Sequence, residues 1–213
     1  MAASTKSQSS NSASPQPLKI IGIIAAVVVV LLLVAVVAGV FGTEEPGNEY
    51  GDPQVSGELT PMPFDAVVDD TATGETAPTV VGQDFDGNEV RIENDGRAKA
   101  IVLLAHWCPH CQDEVPAVQA WLDSGGGVDG VDMYSIATAM NSTQDNFPPS
   151  EWLEREGWTV PVVRDDSDNT IHTAYGAGGF PFWVFVNSDG TVAVRVAGST
   201  PVENIELIMN DLK

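Results

Sequence analysis

The stretch that decides the fold is residues 99–111, KAIVLLAHWCPHC. Its first seven residues form a short, nearly all-apolar run, the pattern of a central strand buried on both faces. The run passes directly into Trp107-Cys108-Pro109-His110-Cys111. From Pro109 to Leu122 the apolar positions Val115, Val118, Trp121 and Leu122 recur at helical spacing. Pro109 suits a first helical turn, and Pro116 is expected to kink the helix. Gly125, Gly126 and Gly127 then end it.

Outward from this centre, residues 79–81 and 89–92 flank Asp86-Gly87-Asn88 and predict a hairpin. Downstream, the pattern predicts a strand over 131–138, a helix over 149–156, a strand over 159–164 and a short helix over 170–175. A strand over 182–187, the turn Ser188-Asp189-Gly190, a strand over 191–197 and a helix over 202–212 close the chain. Strands alternating with helices imply an α/β fold, a central mixed sheet flanked by helices, with an antiparallel edge from the closing hairpin.

Only two cysteines occur in 213 residues, which excludes a disulfide-framework mini-protein and a four-cysteine zinc module. A C-x-x-C that opens a helix straight after a buried strand makes one thiol reactive. Unpaired backbone N–H groups and the positive end of the helix dipole favour a thiolate, whose pKa in such settings falls from about 8.5 toward roughly 3.5–7.5. Cys108 is therefore the expected nucleophile. Cys111, one turn on, is placed to attack a mixed disulfide at Cys108 and release the partner. His110 between them is expected to stabilise the thiolate further, which makes the disulfide more oxidising. Two other uses of the pair stay open. A permanent staple across so short a loop would constrain little. Metal binding would draw on His106 or His110, but no second C-x-x-C and no H-x-x-x-H completes a ligand set. Haem attachment needs His after the second cysteine, where Gln112 stands.

Charge is unevenly placed. The chain carries 9 basic and 30 acidic residues, a net charge of −21, yet residues 1–41 contain Lys6 and Lys19 and no acid. So few Lys and Arg exclude a nucleic-acid binder, whose affinity comes from clustered cations. A 43% hydrophobic composition with five Trp excludes disorder throughout. Residues 20–41 run without a charge and, as a helix, are long enough to cross roughly 30 Å of hydrocarbon. A cleaved signal peptide has a shorter apolar region, about 7–15 residues, so a retained anchor is expected, with cleavage near Val40-Phe41-Gly42 as the alternative. Lys19 before the span and Glu44 and Glu45 after it place the N-terminus in the cytoplasm. The expected organisation is a disordered cytoplasmic tail over 1–19, a transmembrane anchor over 20–41, an acidic extracytoplasmic linker over 42–75 and a folded domain over 76–213. The linker reading rests on nine acids, no base and four prolines across 43–75. Within it, residues 63–70 are apolar enough to dock as a first strand.

Trp107-Cys108-Pro109-His110-Cys111 after a buried strand resembles the thioredoxin superfamily. The wider pattern resembles its membrane-tethered extracytoplasmic thiol/disulfide oxidoreductases, the ResA- and TlpA-like proteins, over roughly residues 76–213. Cys111 followed by Glu114 and Pro116 matches that branch's C-x-x-C-x-x-E-x-P, in which the resemblance implies proton handling by Glu114. Gly179-Phe180-Pro181 matches the family's cis-proline loop. By resemblance, Pro181 is cis and faces the cysteines, and Pro181, Phe180 and Trp107 bind substrate. Three departures stand out. Phe180 replaces the usual small or β-branched residue, the strand before the cysteines lacks the buried acid of thioredoxin itself, and Pro-His between the cysteines resembles the oxidising DsbA-type enzymes.

The function expected is thiol/disulfide exchange with secreted or membrane proteins by a thioredoxin-like domain outside the cytoplasm. Cys108, Cys111, His110, Pro109 and Glu114 form its catalytic set, and it needs no cofactor, no metal and no nucleic acid. We expect an oxidant or isomerase, with a reductase for cytochrome c maturation as the alternative and a copper-delivery protein as the rival from another class. The membrane redox partner is not read from the sequence. His106 is expected to pack or line the rim and His172 to lie on the surface. Asn141-Ser142-Thr143 is an N-glycosylation pattern, meaningful where the host has that machinery.

Overall fold

The computed structural model describes residues 49–63, 66, 68, 69 and 71–213. Its strands are β1 (Gln54–Ser56), β2 (Val68–Asp69), β3 (Thr79–Gln83), β4 (Glu89–Ile92), β5 (Ala98–Leu104), β6 (Val131–Ala137), β7 (Val162–Arg164), β8 (Phe182–Val186) and β9 (Val192–Ala197). Its helices are α1 (Pro109–Asp123), α2 (Pro149–Arg155), α3 (Thr170–Ala174) and α4 (Val202–Asp211). The expected span over 20–41 lies outside the described residues, among which no helix is long and apolar enough to cross a membrane.

Every residue of β5 is buried, as its apolar run requires, and the strand sits inside a six-stranded mixed sheet of order β2-β9-β8-β5-β6-β7. On one side β6 runs parallel, with Ile101 opposite Tyr134; on the other β8 runs antiparallel, with Ile101 opposite Val184. Parallel neighbours need a crossover, and α1 supplies it between β5 and β6. Because side chains alternate along a strand, β5 feeds two cores. Ile101 and Leu103 join Ile136, Val184 and Tyr175 on one face. Ala100, Val102 and Leu104 join Trp183, Phe185, Cys111, Val115 and Val118 on the other, where Ile205 and Met209 of α4 also pack. The predicted hairpin forms in a separate sheet of order β1-β3-β4, with Val81 opposite Arg91. Gly87 takes φ +83° in its turn, a conformation that suits glycine. Helix α1 continues through Pro116 to Asp123.

The spacer expected over 42–75 is corrected from Glu49 onward. β1 pairs antiparallel with β3, and Leu59 and Met62 are buried in the core. The fully buried Arg195 donates from Nη1 to the carbonyl of Thr60 at 2.8 Å and to that of Tyr175 at 3.2 Å. Counts of acids and prolines misled here because an extended segment docks through backbone bonds and a few isolated apolar side chains, and periodicity registers neither. Residues 63–70 do supply an edge strand, two residues long: β2 pairs with β9, Val68 opposite Val196.

Candidate active site

β5 ends at Leu104, and the chain turns through Ala105, His106 and Trp107 into Cys108, the N-cap of α1. The Cys108 N–H donates to the Ala105 carbonyl at 3.0 Å and closes that turn. Pro109 occupies the first helical position, where a missing N–H leaves nothing unpaired. The amides of His110 and Cys111 have no partner one turn earlier, which is the general condition of a helix start. Together with the Cys111 thiol, whose hydrogen bond is the largest influence, these amides and the charge of His110 pull the Cys108 thiol down to about 6, against the opposing effect of burial. Cys111 is fully buried, and that burial, reinforced by the neighbouring thiolate, pushes its thiol far up. Both are free thiols, one poised to ionise and the other held protonated.

One turn further, Glu114 is 6% exposed. Its Oε1 accepts from the Trp183 indole Nε1–H at 2.5 Å and its Oε2 from the Thr200 N–H at 2.6 Å. Burial raises the carboxyl above its usual range, and the two donors pull the other way without reversing it. The strand β5 holds no acid, so Glu114 is the buried carboxyl beside the cysteines. Trp183 and Thr200 escaped the sequence reading. Trp183 lies in an apolar run that says core and nothing more, and Thr200 contributes only its backbone.

The opposite wall comes from the loop before β8. The Phe180–Pro181 peptide is cis, and the Cys108 Sγ lies 3.6 Å from the Phe180 carbonyl oxygen, to which the thiol donates. The Phe180 ring meets Trp107 edge-on at 6.0 Å and lies tilted against His172 at 5.3 Å. His172 is therefore half-buried at the rim and not on the open surface; desolvation lowers its pKa. Its place on a five-residue helix gave no sign of this. His110 is exposed beside the nucleophile. His106, by contrast, is buried, with both ring nitrogens engaged by the backbone of residues 141 and 145. It is thereby removed from the copper ligands considered above. Among the described residues no three His, Cys, Asp or Glu side chains converge on a metal site.

A reactive dithiol at a helix start, a buried carboxyl behind it and a cis-proline wall in front match one family. The Redoxin family matches residues 72–208. The chain belongs to the Redoxin family. The thiol-disulfide oxidoreductase ResA of Geobacillus thermodenitrificans (strain NG80-2) is 29% identical over 144 residues, 67% of this chain and 79% of that protein. The sporulation thiol-disulfide oxidoreductase A of Bacillus subtilis (strain 168) is 23% identical over 122 residues, 57% and 72% of the two chains. In fold, a DsbF homologue from Corynebacterium diphtheriae superposes with a TM-score of 0.57 at 13% identity, covering 74% of this chain and all of that one. This Redoxin domain is thus a thioredoxin-fold thiol-disulfide oxidoreductase.

Proposed function

We propose that the protein is anchored in the cell membrane by residues 20–41 and exchanges disulfides with secreted or membrane proteins outside the cytoplasm, acting as an oxidant or isomerase. Cys108 is the nucleophile, Cys111 the resolving thiol, Pro109 and His110 set the poise, Glu114 handles protons, and Pro181, Phe180 and Trp107 hold substrate. In the oxidising direction, a substrate thiolate attacks the Cys108 sulfur of the enzyme disulfide and expels the Cys111 thiolate, which takes up a proton. A second substrate thiolate then attacks the mixed disulfide and expels the Cys108 thiolate. The substrate dithiol loses two electrons and the enzyme disulfide gains them, becoming the dithiol; read backwards, the same steps reduce a disulfide.

The observation that carries the direction is the Cys108 thiolate at about 6. Relative to a thiol near 9, it favours the dithiol about tenfold at pH 7, roughly 30 mV toward the oxidising side for a two-electron couple. This contribution is modest against the roughly 150 mV that separates thioredoxin from DsbA. The expected potential lies between theirs, above about −270 mV and below about −120 mV. Equilibration with a glutathione series measures it. A value at or below that of thioredoxin overturns the oxidant reading and selects the reductant, the role in cytochrome c maturation. A specific feature favours that second reading: Glu114 is placed to accept the Cys111 proton, which speeds resolution from the dithiol. The location is tested by labelling intact cells with an impermeant maleimide. Modification of Cys108 only after lysis would exclude the extracytoplasmic side.

A further inference from the structure

His106 precedes Trp107 and Cys108, is 1% exposed, and has no part in the exchange steps above. Its Nδ1 lies 2.8 Å from the carbonyl oxygen of Asp145, a group that only accepts, so the proton sits on Nδ1. Its Nε2 accepts from the backbone N–H of Asn141 at 3.1 Å. Both partners are main chain and cannot exchange roles, so the pair fixes one neutral tautomer. The segment so held, residues 139–148, joins β6 to α2 and packs Phe147 edge-on against the imidazole at 5.7 Å. It also carries the anchor of the substrate wall: the Trp107 Nε1–H donates to the Ala139 carbonyl at 2.7 Å. Ala139 and Asn146 have φ of +49° and +60°, conformations that L residues rarely adopt, so contacts must impose the shape of the loop. From α1, the neutral Gln112 side chain donates to the His106 carbonyl at 2.9 Å and ties the turn to the helix.

We propose that His106 is a positioning residue: as a neutral, Nδ1-protonated imidazole it pins the 139–148 segment to the active-site turn, holds the Trp107 ring against Phe180, and releases both on acidification. A second proton on the ring would point an N–H at the Asn141 N–H and break that bond. The charge facing the ring is Glu49, from the segment before β1, whose carboxylate accepts from the Ser150 N–H at 3.2 Å and its hydroxyl at 2.9 Å. Burial lowers the His106 pKa, and the Asp145 carbonyl and Glu49 oppose it more weakly. The release therefore runs on the acid side of an ordinary histidine.

The proposal rests on the exchange reaction read above, and the test separates the two. Reduction of a cystine peptide by the reduced full chain is followed from pH 7 to pH 5, and each rate is divided by the Cys108 thiolate fraction from absorbance at 240 nm. The wild-type normalised rate should fall about fivefold or more over that range. In His106→Gln a neutral side chain can still donate to Asp145 and accept from Asn141. Its rate should stay within about threefold of wild type at pH 7 and lose the acid limb, while His106→Ala should fall about tenfold at pH 7. An unchanged acid limb in His106→Gln, or a wild-type rate in His106→Ala, overturns the proposal. Imidazole 15N NMR on the wild type tests the same point without a variant. A neutral Nδ1–H ring at pH 7 whose protonation shifts the Asn141 amide supports it, and an Nε2–H or charged ring at pH 7 refutes it. If no form exchanges with the peptide, the exchange reading fails while the NMR result still decides the tautomer.

Discussion

Cys108 and Glu114 are two acids on one helix, and their surroundings drive them in opposite directions. Cys108 stands at the N-cap, where the amides of the first turn and the Cys111 thiol favour its charge and bring it to about 6. Glu114 stands one and a half turns on, facing the sheet, where burial outweighs the donors from Trp183 and Thr200 and the carboxyl is raised. A helix start stabilises an anion with its own unpaired amides. Inside the helix those amides are used up, so any stabilisation of charge has to come from other elements. The result is a thiol shifted toward its ionised form and a carboxyl shifted toward its protonated form on one helix, a division that suits thiol exchange with proton transfer.

The comparison breaks most completely if its first member is removed. Cys108→Ser should lower exchange by at least about 10³-fold, measured as turnover of a disulfide peptide. Glu114 should then titrate lower, because the neighbouring thiolate is one of the causes of its upward shift. Cys111→Ala should be next in size. Mixed disulfides through Cys108 should accumulate on nonreducing gels, since no resolving thiol remains. Cys108 should titrate at least about one unit higher by absorbance at 240 nm, because the lost Cys111 hydrogen bond is the largest influence on it. The same group gives the reduced protein a pH-dependent stability. Its folded pKa lies below that of the unfolded thiol, so the stabilisation is present above about 8.5 and is lost as pH falls through about 6. Denaturant midpoints of reduced wild type should therefore rise relative to Cys108→Ala between these values. A flat difference would show that the thiolate is not held by the fold.

Much of this site was legible from residues 99–111 alone. A six-residue apolar run after Lys99 is satisfied between two neighbouring strands, and a proline after a cysteine marks a helix start, so the Cys108 environment follows from local order. The second environment is not local. Glu114 is buried by the sheet and hydrogen-bonded by a tryptophan 69 residues away and a threonine amide 86 residues away, and no spacing rule joins those positions. The resemblance named Glu114, but only the packing says what surrounds it. His172 and the docking of residues 49–62 were missed for the same reason. Each depends on a face supplied by a distant element, Phe180 for the histidine and β3 and Arg195 for the segment. The strand and helix order survived because hydrophobic periods of two and 3.6 are properties of the chain itself.

Two smaller changes sharpen the comparison from the side of Glu114. Glu114→Gln should slow resolution by Cys111 about tenfold, read as slower decay of the mixed disulfide, because a proton acceptor is lost. It should also flatten stability against pH. The folded pKa of Glu114 is raised, so wild type has the full contribution below the unfolded value of about 4.3 and loses it as pH rises through the folded one. Wild type should therefore lose stability relative to Glu114→Gln on going from pH 4 to pH 8. Trp183→Phe is the finest probe. It removes the 2.5 Å indole donor while keeping an aromatic ring in the core, and should cost about 1 kcal/mol and less than about threefold in rate. With one donor gone from its charged form, Glu114 should titrate higher still, whereas Cys108, held by amides and a thiol that Trp183 does not touch, should stay near 6. If the two groups move together by similar amounts, they titrate as one coupled unit, and the division between helix start and helix interior is not the right account of this site.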